Sequence, residues 1–111
     1  MRITFRKRKL QKTCSSMREM EKAYGKDSAR KLAQRLAELG AADTLADMSH
    51  LPPARCHALT GDRAGQFSVD LAHPYRLLFE PDHDPVPVNA QGGVIRAKIT
   101  AIGIIEVADT H

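Results

Sequence analysis

The run FSVDLAHPYRLLFE, Phe67 to Glu80, decides the fold class. Phe67, Val69 and Leu71 alternate with Ser68 and Asp70, and a period of two gives a strand one apolar and one polar face. Ala72 to Pro74 interrupts the alternation and a second run, Tyr75 to Glu80, follows, so the stretch predicts two antiparallel strands joined by a turn. Further on, Pro81 to Gly93 holds three of the six prolines and two glycines and reads as a loop. Ile99 to Val107 then has Ile99, Ile105 and Val107 alternating against Ile102 and Ile104. Apolar residues on both sides predict an interior strand covered twice, with helices on one side.

Toward the N-terminus the period changes. Ile3 and Phe5 flank Thr4 as in a short strand. Leu10, Cys14, Met17, Met20 and Tyr24 recur at spacings of four and three, which predicts one helix ending near Gly25, slightly weakened by Ser15 and Ser16. Asp27 or Ser28 offers a cap for a second helix carrying Ala29, Leu32, Ala33, Leu36 and Leu39 up to Gly40. The short connection between them predicts an antiparallel hairpin. One further helical turn fits Ala42 to Met48, stopped by Leu51-Pro52-Pro53. Strand, two helices, then strands is an α+β layer order, and 111 residues suffice for one domain, 1–111.

Twelve of the seventeen lysines and arginines lie between Arg2 and Arg35, against three acids (Glu19, Glu21, Asp27). Five cations and ten acids make up the rest. Such an imbalance suits either a solvated helix surface or a polyanionic partner, since phosphate neutralisation is a common use of a concentrated basic face. No apolar run reaches the ~20 residues of a membrane helix or forms a signal-peptide core, so a cytoplasmic protein with no membrane partner is expected. Cys14 and Cys56, expected on a helix and in a strand, lack metal-ligand spacing and read as reduced thiols.

No glycine-rich phosphate loop, GxSxG elbow, HExxH or paired cysteines occur, so neither cofactor nor metal is expected. Scattered His, Arg and Asp remain. RNA cleavage by its own 2′-hydroxyl needs a proton acceptor, cations for the phosphorane and an acid for the leaving 5′-oxygen. His57 and His111 suit the proton transfers because imidazole changes charge near neutral pH. Arg76, Arg55 and Arg63 carry planar forks that match phosphate oxygens, and Asp109 can orient a histidine. Each also has a plain structural role open to it: a surface strand histidine, a snorkelling arginine, a frayed tail. His50, His73 and His83 lie by prolines or in loops and receive no role.

The segments PPARCHALTGDRAGQFSVDL (Pro52 to Leu71), HPYRLLFE (His73 to Glu80) and IIEVADTH (Ile104 to His111), with AADTLADM (Ala41 to Met48) before the double proline, resemble the HigB branch of the RelE/ParE toxin superfamily, in the plasmid maintenance killer protein subgroup. The resemblance implies a RelE-like fold: an N-terminal strand and a two-helix hairpin packed on a mainly antiparallel sheet of four to five strands. It implies a type II toxin, a metal-independent, ribosome-dependent mRNA endonuclease that inhibits translation. It also implies a helix-turn-helix antitoxin of HigA type, in a possible heterotetramer. Residue by residue, His57 matches a catalytic strand position, Arg76 a phosphate-contacting arginine, and Asp109 and His111 the C-terminal motif. Arg55, Arg63, Arg6, Lys7, Arg8, Lys9 and Lys12 are the expected RNA contacts. Thr60 replaces a common lysine and Thr110 a tyrosine able to stack on a base. The alternatives are a RelE-fold module that binds an antitoxin without cutting, and a gyrase-targeting ParE-type toxin.

Overall fold

The computed structural model describes residues 1–109; Thr110 and His111 lie outside that range. Five strands, β1 (Arg2–Phe5), β2 (His57–Ala58), β3 (Phe67–Asp70), β4 (Tyr75–Pro81) and β5 (Ala101–Asp109), form one sheet in the order β1-β5-β4-β3-β2. Only β1 runs parallel to its neighbour, β5. The hairpin read from Phe67 to Glu80 is present, with Phe67 opposite Phe79 and Asp70 opposite Arg76.

The helical layer differs from the two-helix expectation. Its first half is two helices, α1 (Arg8–Thr13) and α2 (Met17–Tyr24), before α3 (Lys26–Ala41). The cause is local: Ser16 is extended and its hydroxyl accepts the Glu19 N–H, so it caps a new helix where continuous periodicity predicted an old one. Ser15 Oγ meanwhile bonds back to the Lys12 carbonyl, and Cys14 ends α1. Gly25, at φ 84°, links α2 to α3 and takes the cap position expected of Asp27 or Ser28. The turn expected after Ala42 is a 3-10 turn, Leu45–Asp47, closed by a capping box between Thr44 and Asp47.

Ala29, Leu32 and Leu39 of α3 pack onto Phe67, Val69, Leu77, Phe79, Ile102 and Ile104, all buried on one sheet face. The Phe67 and Phe79 rings stack with centroids 6.0 Å apart. The predicted loop runs on to Thr100 and includes a Val88–Val94 bridge and a 3-10 turn, Arg96–Lys98. It covers the end of the same core: the Arg96 guanidinium lies 5.0 Å above the Phe67 ring, and Ile99 is buried. Cys56 sits just before β2, outside the strand expected for it. Both cysteines are free, and burial pushes the Cys56 thiol up to about 11.

The interior strand is covered on both faces, as the Ile/Val pattern suggested, only over its first half: Ala101 to Ile104 are buried and Ile105 to Ala108 half-buried. The β4–β5 register slips between Leu78 and Phe79: Leu78 faces Glu106, and Phe79 faces Ile104. Ile105 is the extra residue of a β-bulge, so the alternation changes phase and Val107, opposite Leu77, joins Ile102 and Ile104 on the helix side. Gly103, Glu106 and Ala108 fall on the second face, where no helix packs.

Candidate nucleic-acid interface

Cross-strand partners project to the same side of a sheet, so the register defines what the helix-free face carries. One row across it reads His57, Ser68, Leu78, Glu106, and the next reads Asp70, Arg76, Ala108. Most polar strand residues gather on this face because the core positions facing the helices are apolar; Leu78 is an apolar member of the first row and is fully buried there.

Asp70 is the hub. Its Oδ1 lies 3.4 Å from Arg76 Nε, and its Oδ2 3.4 Å from Arg55 Nη1. Its N–H donates to the Ala54 carbonyl (2.7 Å) and its carbonyl accepts from Arg35 Nε (2.7 Å). Arg35, a buried cation reaching from α3, also pairs with Glu38 at 3.1 Å. The contacts to the carboxylate are ion pairs without hydrogen-bond alignment: among the described residues, Asp70 Oδ1, Arg76 Nε and the neighbouring Ser68 Oγ are buried with no hydrogen-bond partner.

Arg55 holds a left-handed backbone, φ 49°, rare for a side chain with a Cβ, and its N–H donates to the Leu51 carbonyl. Two residues on, His57 Nδ1 lies 2.9 Å from the Arg55 carbonyl. A carbonyl only accepts, so Nδ1 carries a proton and Nε2 is the nitrogen left to exchange one. A second carboxylate, Glu106, receives Arg63 Nη2 at 2.8 Å and Lys7 Nζ at 3.6 Å. Arg6 pairs with Glu80 at 3.3 Å and with Asp82 at 3.5 Å, its guanidinium lying over Gly103 where a side chain would collide.

The face thus brings together six of the residues singled out in the sequence: His57, Arg76, Arg55, Arg63, Arg6 and Lys7. Arg8, Lys9 and Lys12 stand exposed on α1. Asp109 is the last described residue of β5 and pairs with Tyr75, in phase with Val107. His111 lies outside the described residues. Sequence reading missed Asp70, Glu106, Ser68 and Arg35. For Asp70 a signal existed, because a turn at Ala72 to Pro74 in the 67–80 hairpin sets an acid opposite Arg76. No three His, Cys, Asp or Glu side chains among the described residues converge as metal ligands, and no described helix is long and apolar enough to cross a membrane.

No family model matches the sequence, and no curated protein does. Among solved structures, the molecule is similar to a YoeB/ParE toxin from Agrobacterium tumefaciens, with a TM-score of 0.57 and 11% identity over 100% of both chains. At that identity the likeness speaks for the backbone: an N-terminal strand and helices packed on a five-stranded sheet, the toxin-like fold of the RelE/ParE type.

Proposed function

We propose that this chain is the toxin of a type II toxin–antitoxin pair and cuts messenger RNA on the ribosome, using the helix-free sheet face. The observation that carries the reading is the convergence of His57, Arg55, Arg76 and Arg63 on one open face of a fold like that of a YoeB/ParE toxin. His57 Nε2 removes the proton of the RNA 2′-hydroxyl while Nδ1 stays anchored on the Arg55 carbonyl. The alkoxide attacks the adjacent phosphorus, and Arg76 and Arg55 stabilise the charge gathering on the non-bridging oxygens. The 5′-oxygen leaves with a proton, for which His111 is the candidate donor, and Asp109 belongs to the same C-terminal motif. Arg63, Arg6, Lys7, Arg8, Lys9 and Lys12 contact RNA phosphates. A HigA-like helix-turn-helix antitoxin neutralises the protein in the cytoplasm, in a toxin–antitoxin heterotetramer.

Induced expression in cells tests this, with growth and the 5′ ends of cellular mRNA read for wild type, His57→Ala and Arg76→Ala. New in-frame cuts and growth arrest with wild type, absent in both variants, are expected. Arrest without new cuts would favour a ParE-type gyrase target, and no arrest with retained antitoxin binding would favour a binding module.

A further inference from the structure

The acids of the open face occupy places where an anionic ligand would sit, and Asp70 does so most completely. Its carboxylate lies between two arginines from different segments, 3.4 Å from each, on a face with three buried polar atoms lacking hydrogen bonds. Two forks converging on one acceptor is the arrangement that grips a phosphate, and the contact to Asp70 leaves the buried Arg76 Nε without a hydrogen bond. Arg76 is only 14% exposed, a desolvated setting in which an imperfectly paired cation favours a better anion. The backbone at Asp70 is fixed from two other directions, by Ala54 and by Arg35, so the carboxylate can release its arginines without the strand moving.

We infer that Asp70 is a built-in counter-ion that holds Arg55 and Arg76 in a phosphate-binding arrangement and yields them to a phosphate group when RNA arrives. The inference rests on the reading of this face as the one that receives RNA. It makes Asp70 a positioning residue: it keeps the arginines converged and partly neutralised without substrate, and its charge opposes binding of free anions. Asp70→Asn preserves shape and both backbone bonds while removing the competing charge. Inorganic phosphate is then predicted to bind Asp70→Asn about tenfold or more tightly than wild type, from loss of one like charge within a few ångströms of the ligand. The gain is lost on adding Arg76→Ala.

Phosphate titration of the isolated protein by calorimetry, without ribosomes, reads this directly. Asp27→Asn, an equal charge change at an exposed position in the first turn of α3, serves as the control. Arg55→Gly supplies a variant that folds readily, since glycine accepts φ 49° without strain, and it is expected to bind phosphate about tenfold more weakly in the Asp70→Asn background. Unchanged or weaker phosphate binding by Asp70→Asn overturns the inference, as does an equal gain in Asp27→Asn. If Asp70→Asn gains phosphate affinity but wild type cuts no mRNA, the counter-ion stands and the nuclease reading falls; if wild type cuts mRNA but Asp70→Asn gains no phosphate affinity, the nuclease reading stands and the counter-ion falls.

Discussion

At the residue scale, burial overrules what residue type suggests. Arg35 belongs by sequence to the basic N-terminal stretch, yet it is 1% exposed and works inward on the Asp70 carbonyl and Glu38. That was illegible because its main partner lies 35 residues away. Arg35→Ala is expected to cost about 3 kcal/mol in urea unfolding, because it leaves a cavity, an orphaned carbonyl and Glu38 without its cation; a loss under about 1 kcal/mol would contradict that role. Cys56 is shielded so that its thiol rises from the ordinary value of 9.0 to about 11. The folded state then holds this proton more tightly than the unfolded chain, so the stability it contributes is present below pH 9 and lost as pH rises through 11. Wild type should lose about 2 kcal/mol more than Cys56→Ala between pH 8 and pH 11. Parallel decline of the two curves would refute the assignment.

At the element scale, the strands were legible and the breaks between elements were not. Phe67 to Glu80 announces its hairpin because amphipathic alternation is written in the chain itself. The interruption at Cys14 to Ser16 was hidden because the apolar spacing continues through it, from Leu10 to Tyr24; only the Ser16 cap marks the new start. Ser16→Ala should therefore lower stability by about 1 kcal/mol, seen as a drop in Tm, with little change if α1 and α2 were in effect one helix. The phase change at Ile105 was likewise invisible, since a bulge depends on which residue the partner strand presents. It has one consequence for the site: it turns Glu106 onto the face that carries His57, Asp70 and Arg76.

At the scale of the whole molecule, the division of labour is between two faces of one sheet. Helices α1 to α3 and the long loop bury the apolar face, which leaves the other to polar side chains. Composition gave the cation surplus in the N-terminal third, but the arginines around Asp70 come mainly from the less basic remainder, and the fold alone brings Arg55, Arg63 and Arg76 together with Lys7 and Arg6. On that face four acids, Asp70, Glu106, Glu80 and Asp82, pair with the five cations. The surface is thus a set of paired charges rather than a uniformly positive patch.

Whether this face cuts message on the ribosome is tested most directly with purified components: a defined mRNA on programmed ribosomes, incubated with wild type, His57→Ala or Arg76→Ala, and cleavage rates taken from the shortened products. Cleavage is predicted to require the ribosome and to fall by about a hundredfold or more in each variant, the usual scale for losing a proton-transfer group or a charge-stabilising donor. Cleavage at wild-type rates by both variants, or none by wild type with all three proteins folded, would contradict it.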